Sequence, residues 1–254
     1  MIREQRLGYI RQELKKKGIV SIAELTKSLN SSRSTIHRDL CDLEEEKVLK
    51  CIRGGAVSMS RQTSYEPPFG ARQDLFTDEK KRIAQRAMDF VSENAMILLD
   101  SGTTVYELAK LLANGKKLNI ATNDLNSAMA LSTNPDVSLI VLGGSLRARY
   151  YSMNGLFTED MIRQIHADTT FLSVDAVDLS VGLMGYSIEE ISSKRLMAEA
   201  AQRTIVLCDH SKFESLAFIN ICPLSAVDMI ITGTEASPEI ISKLEEQGVT
   251  VLTA

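Results

Sequence analysis

Residues 21–56 read SIAELTKSLNSSRSTIHRDLCDLEEEKVLKCIRGGA. Ser21 offers its hydroxyl as an N-cap, and Glu24 follows three residues later at capping-box spacing. Ala23, Leu25 and Leu29 supply the inner face of the helix that follows. Asn30-Ser31 makes a turn. Ser32 is placed to cap a further helix whose apolar stripe is Ile36, Leu40 and Leu43. The opposite face of that helix shows Arg33, Ser34, Thr35, His37 and Arg38. Val48, Leu49 and Ile52 predict a short β segment, and Arg53-Gly54-Gly55 a tight turn with a cation at its tip. Upstream, Ile2, Leu7, Ile10 and Leu14 recur at helical spacing, and Gly18 ends that helix.

Arginine can bond two acceptors on a guanine edge, and Ser and Thr reach phosphates or bases. A helix N-terminus favours a phosphate. Three helices, a short turn and a basic wing in this order predict a winged helix-turn-helix that contacts duplex DNA through Ser32, Arg33, Ser34, Thr35, His37, Arg38 and Arg53. The plainer alternative is a small helical domain with a solvated charged face. Charge supports the first reading: residues 1–60 carry a net +4, whereas 61–254 carry −8. Such a unit reads a short half-site, so a homodimer or homotetramer is expected.

With 254 residues, 44% of them apolar, the chain has room for two domains. The expected division is a DNA-binding domain over 1–57, a linker over 58–77 containing Pro67-Pro68, and an α/β domain over 78–254. No apolar run is long enough for a membrane span, and the charged start is unlike a signal peptide. A cytoplasmic protein is expected. Cys41, Cys51, Cys208 and Cys222 show no metal-ligand spacing, and His37, His166 and His210 do not cluster with them, so neither a metal nor a cofactor is expected.

From 78 onward, apolar runs at 95–99, 118–121, 137–142, 169–174, 204–208, 229–232 and 250–252 alternate with helical patterns at 105–112, 126–131, 159–165, 189–201 and 238–246. A mostly parallel, doubly wound sheet follows, and ligands of such sheets bind at the carboxyl ends of strands. Polar residues recur there: Asp100, Ser101, Gly102, Thr103 and Thr104; Thr122 and Asn123; Gly143, Gly144 and Arg147; Asp175 and Asp178; Asp209 and Lys212. Hydroxyls, amides, carboxylates and cations at successive strand ends suit a polyhydroxylated ligand carrying a phosphate. In this reading Asp100 and Asn123 take sugar hydroxyls, and the 101–104 loop, Lys212 and Arg147 hold the phosphate. Each piece has a duller reading as a cap, a turn or a surface side chain; Lys194, for one, could be a solvated residue paired with Glu190. An alternative function is a sugar-phosphate isomerase-like enzyme with a nucleic-acid-binding appendage, with Asp100, Asp175, Asp209 or Glu190 as its base. A nucleotide-binding regulator is weaker, because the loop after Leu99 lacks the glycine spacing of phosphate-binding motifs.

The chain resembles the DeoR family of transcription regulators over nearly its whole length. The family's winged-helix pattern is matched by Ser32, Thr35, Ile36, Arg38, Asp39, Leu40, Leu43, Glu44, Gly54, Gly55 and Ala56. Ser31, His37 and Lys47 depart from it, at a turn valine, an arginine and a glycine respectively. The family's sensor pattern is matched by Leu99, Asp100, Gly102, Thr103 and Thr104; by Thr122 and Asn123; by Gly143 and Gly144; by Glu190 and Lys194; and by Asp209, Ser211, Lys212 and Phe213. His210 stands where a serine is common, and Asp175-Ala176-Val177-Asp178 where a glycine often follows the strand. The resemblance implies a sensor domain similar in fold to ribose-5-phosphate isomerase, a phosphorylated-sugar effector, and repression of carbohydrate-metabolism genes. It also implies that Lys194 belongs to the ligand site.

Overall fold

The computed structural model describes the chain apart from residues 1, 18, 47, 53, 59–65, 116 and 214; residues 15–17, 50 and 57 are described in backbone only. The described chain divides into two compact units, Met1–Thr77 and Asp78–Ala254.

The first unit contains α1 (Arg3–Lys17), β1 (Ile19–Ser21), α2 (Ile22–Leu29), α3 (Arg33–Glu45), β2 (Leu49–Ile52), β3 (Gly55–Ser58) and α4 (Phe69–Gln73). Both sequence-predicted caps are present. Ser21 accepts from the Glu24 amide at 3.1 Å, and Ser32 from the Thr35 amide at 3.2 Å. Asn30 closes α2 in the left-handed region, at φ 45°, where its short polar side chain is tolerated. The wing is a three-stranded antiparallel sheet in the order β1-β3-β2, and Glu44 fastens it to α3 by accepting from the Cys51 amide at 2.7 Å. The core gathers Ile10 and Leu14, Leu25 and Leu29, Ile36, Leu40 and Leu43, and Leu49.

Two sequence expectations fail here. Ala23 is exposed, and Ile22 is buried in its place. With Ser21 as the cap, Ile22 is the first helical residue, and 22, 25 and 29 fall on one stripe from which 23 is turned by about 100°. Ile2 precedes α1 and is 62% exposed, so it takes no part in the stripe. Gly18, Lys47 and Arg53 lie outside the described residues, as do residues 59–65 of the 58–77 linker.

After α5 (Thr77–Ala87), the second unit continues with β4 (Met96–Leu99), α6 (Thr103–Leu112), β5 (Leu118–Thr122), α7 (Leu125–Leu131), β6 (Val137–Val141), β7 (Ser145–Arg147), β8 (Ser152–Asn154), α8 (Leu156–Ile162) and β9 (Thr169–Leu172). Then follow β10 (Ala176–Asp178), β11 (Gly182–Gly185), α9 (Ile188–Glu199), β12 (Thr204–Leu207), β13 (Ile219–Cys222), β14 (Met229–Thr232), α10 (Pro238–Glu246) and β15 (Thr250–Thr253). All seven apolar runs form strands of one sheet, in the order β15-β14-β12-β9-β4-β5-β6. Every neighbouring pair in it is parallel. Winding proceeds outward from β4 through β5 to β6, then from β9 through β12 and β14 to β15, so the order reverses between β4 and β9.

Strand side chains alternate between two cores, as period-two geometry requires. Leu98, Ala121, Leu172 and Val206 pack under α8, α9 and α10. Ile97, Leu99, Ile120, Phe171 and Ile205 pack under α5 and α6. The edge strand β6 departs from full burial, leaving Ile140 41% exposed. The sequence reading did not anticipate two small antiparallel sheets, β7-β8 and β10-β11-β13. Their strands have three or four residues, too few for a period to show.

Candidate functional site

On α3 the sequence-predicted contact residues separate cleanly from the core. Arg33, Ser34, His37 and Arg38 are exposed, whereas Ile36, Asp39, Leu40 and Leu43 are buried. At 100° per residue the exposed four span one arc and the buried four the opposite one. The Ser32 hydroxyl also lies 2.8 Å from that of Thr35 and 2.9 Å from that of Ser34, so three hydroxyls crowd the helix N-terminus. Behind this face Arg6 of α1 bonds buried Asp39 through Nε at 2.7 Å and a second nitrogen at 3.2 Å. A two-pronged guanidinium fork of this kind fixes the roll of α3 against α1.

In the second unit the strand order reverses between β4 and β9, the place where open parallel sheets bind ligands. Asp100 leaves the end of β4 fully buried. Its Oδ2 accepts from Lys194 Nζ at 2.5 Å and from the Ser173 amide at 2.9 Å, and Lys194 also donates to the Ser173 carbonyl at 3.0 Å. Burial opposes a charged Lys194, but Asp100, Glu190 and Asp175 outweigh it and hold the ammonium above its ordinary pKa. Lys194 is therefore a buried cation on the inner face of α9, not a solvated helix residue. The register sets Leu99 beside Thr122, which makes Asp100 and Asn123 the first residues beyond adjacent strands.

Gly102 carries the chain into α6. A Cβ there would stand 2.1 Å from the Ser173 hydroxyl oxygen, so only glycine lets the loop close on β9. Thr103 and Thr104 are buried in the first turn of α6, which has no side-chain cap. Thr122 accepts from the Asp124 amide at 3.1 Å and holds the β5 turn.

The β7-β8 hairpin lies across this polar cluster. The Asn123 side-chain amino group donates to the Met153 carbonyl at 3.3 Å, and the Asn123 backbone carbonyl accepts from the Met153 amide at 2.7 Å. Glu190 of α9 receives Arg147 at 3.0 Å and the Ser152 hydroxyl at 2.6 Å. Asn154 in turn donates to Ser152 at 2.9 Å. Arg147 stacks on Tyr150 with 3.7 Å to the ring centroid. Gly144 admits the hairpin's return, since a Cβ there would meet the Thr158 hydroxyl at 2.2 Å and the Asn154 carbonyl at 2.6 Å. The Gly143 carbonyl accepts from Thr158 at 2.7 Å. At the hairpin tip Arg149 and Tyr151 hold positive φ of 71° and 64°, an unusual conformation for these side chains.

Asp175 joins the cluster from β9, accepting from the Tyr186 amide at 3.1 Å. Asp178 does not. It caps the β10-β11 turn, taking the Ser180 amide at 2.8 Å and the Val181 amide at 3.1 Å. Asp209 and Lys212 gather in a second group. Although burial pushes the other way, Lys212 and Lys80 hold the Asp209 carboxyl below its ordinary value. The loop is anchored to α5 by Glu79, which accepts from the His210 amide and sits against its Nδ1, both at 2.8 Å.

Sequence reasoning passed over Ser152, Asn154 and Ser173. Ser152 and Asn154 sit at alternate positions of a three-residue strand, and Ser173 acts through its backbone, so neither signal is visible in residue types. A groove of about 780 Å³ lies elsewhere, lined by Arg195, Glu199, Asn220, Cys222 and Asp228. It sits at the strand starts, away from Asp100. Among the described residues no group of His, Cys, Asp or Glu is placed to hold a metal ion, and no helix is long and apolar enough to cross a membrane.

An exposed basic helix in one unit and a buried polar cluster at a sheet's switch point in the other define a regulator with separate reading and sensing parts. The family model of the DeoR-like helix-turn-helix domain matches residues 6–62, and that of the DeoR C-terminal sensor domain matches 76–234. The chain belongs to the DeoR family of transcription regulators. It is 31% identical to the HTH-type transcriptional regulator GolR of Listeria innocua, over 92% of each chain. It is 32% identical to the glycerol-3-phosphate regulon repressor of Escherichia coli K12, over 97% of each. Among solved structures, ribose 5 phosphate isomerase A of Neisseria gonorrhoeae aligns at 22% identity over 54% of each chain, with a TM-score of 0.40.

Proposed function

We propose that this regulator is a cytoplasmic repressor of carbohydrate-metabolism genes whose grip on operator DNA is set by a phosphorylated sugar. The operator is read by Arg33, Ser34, His37 and Arg38 from the exposed face of α3 and by Thr35 and Ser32 at its N-terminal end, together with Arg53, which follows β2 in sequence. The effector is held where the strand order reverses. Asp100, Asn123, Asp175 and Lys194 address its hydroxyls. Ser101, Gly102, Thr103 and Thr104 offer the phosphate the α6 N-terminus, where amide groups and helix dipole favour an anion. Thr122, Gly143 and Gly144 shape the turns, Arg147 brings charge to Glu190, and Lys212 with buried Asp209 forms a second charged group. The relative named as a glycerol-3-phosphate regulon repressor supports this reading. The protein acts as a homodimer or homotetramer, because one helix-turn-helix reads only a half-site.

The observation that carries the reading is Asp100, fully buried at the switch point and bonded to Lys194. Burying this pair among further carboxylates is costly. The β7-β8 hairpin bonds Asn123 and Glu190 beside it, so binding requires the hairpin to yield. The test is a melting series of the purified protein with triose, pentose and hexose phosphates. A ligand of the native state raises the midpoint with concentration. A rise with a sugar phosphate that is lost in Asp100→Ala is the expected result; no rise with any of them rejects the effector class.

A further inference from the structure

Three buried side chains around the Asp100–Lys194 pair share one property. Among the described residues, Asp100 Oδ1, Asn123 Oδ1 and Asn154 Oδ1 have no hydrogen-bond partner, and the three residues are 0%, 1% and 3% exposed. All three atoms are acceptors.

Their polarity is fixed by the network. Asp100 commits Oδ2 to Lys194 and to the Ser173 amide. Asn123 directs its amino group at the Met153 carbonyl, which can only accept. Ser152 has one hydroxyl proton, and it goes to the Glu190 carboxylate, so its oxygen must accept from the Asn154 amino group. Neither amide can be turned over without facing acceptor against acceptor. In the same surroundings Asp100, Asp175 and Glu190 act on Lys194, and Arg147 bonds Glu190.

We infer that Asn154, on the hairpin, is a specificity residue that acts with Asp100 and Asn123 to present three unpartnered acceptors. The effector is recognised there by hydrogens that it donates, as hydroxyl groups, and a carboxylate at that end of the molecule is refused. This rests on the reading that the cluster is the effector site, and it assigns the ligand's orientation within it: hydroxyls under the hairpin, anionic group at the start of α6. Desolvated acceptors discriminate strongly because a ligand that leaves them unpaired, or adds like charge, binds at a penalty.

The test is calorimetric titration of the full chain with phosphates matched in pairs: glucose 6-phosphate against 6-phosphogluconate, and glycerol 3-phosphate against 3-phosphoglycerate. Ribose 5-phosphate and propyl phosphate complete the set. The polyol member should bind at least ~10-fold more tightly than its carboxylated partner, and propyl phosphate should bind weakly. In Asp100→Asn the amide oxygen is held by Lys194 and Ser173, so the amino group takes the place of Oδ1; the preference should narrow or reverse. Equal affinity within a pair, or propyl phosphate binding as well as the sugars, overturns this inference while leaving the effector site standing. Absence of binding by every sugar phosphate overturns the effector reading and this inference with it.

Discussion

Asp100 and Lys194 lie 94 positions apart in sequence and 2.5 Å apart in the fold. The ion pair joins the end of β4 to the inner face of α9, across the gap where the sheet reverses its winding. Removing one partner leaves the other charge buried. Lys194→Met should therefore lower stability by ~3–5 kcal/mol, and Asp100→Asn with Lys194→Met together should recover part of it. Urea unfolding of Lys194→Met, Asp100→Asn and the double variant measures the coupling, and strict additivity would show that the pair does not act as a unit.

Glu190 takes both Arg147 and Ser152 from the hairpin. In Glu190→Gln the Ser152 bond survives, but the charge that draws Arg147 is lost. Amide exchange at Met153, whose N–H bonds the Asn123 carbonyl at 2.7 Å, should quicken ~10-fold or more, as a hydrogen bond to a charged group is weakened. Unaltered exchange would mean that other contacts hold the hairpin.

Asp124 caps α7, accepting from the Asn126 amide at 3.1 Å and the Ser127 hydroxyl at 2.8 Å. Burial nevertheless raises its pKa from 3.8 to about 6. Between these values the native state keeps a proton that the unfolded chain has released. Its stabilising contribution is thus full below about pH 4 and lost as pH rises through about 6. Asp124→Asn keeps a cap and removes the titration. The variant should exceed the wild type in stability by ~2–3 kcal/mol at neutral pH, with the difference vanishing near pH 4. Unfolding curves that differ equally at every pH would contradict this.

Arg38 stands on the exposed arc of α3 with no role in the core. Arg38→Ala should weaken binding to duplex DNA ~10-fold or more while leaving the melting curve unchanged. Should the loss be uniform across sequences and the salt slope fall by about one, Arg38 contacts a phosphate; a loss confined to specific sites means that it reads a base. His37→Arg restores a permanent charge and should strengthen nonspecific binding. Fluorescence anisotropy at several salt concentrations checks both.

The sheet was legible because its strands are continuous apolar runs, buried on both faces except at the sheet edges, and separated by helices of ordinary length. Asp100 and Asn123 were legible as the first polar residues after such runs. Ser152 and Asn154 were not, because a three-residue strand has no period to read. Nor does a sequence reveal that Lys194 turns inward: an i,i+4 partner at Glu190 suggests a solvated face, and only the tertiary fold brings Asp100 beneath it. Ala23 was misplaced by one residue because an N-cap fixes where the helix starts, and with it which side chains face the core.

The most direct measurement is the affinity of the protein for a duplex that it selects from random sequence, with and without the sugar phosphate that stabilises it. Ligand binding can shift DNA affinity only by favouring one arrangement of the chain over another. A change of ~5-fold or more in the wild type, absent in Asp100→Ala, is the predicted result. Unchanged DNA affinity at saturating sugar phosphate would contradict the account.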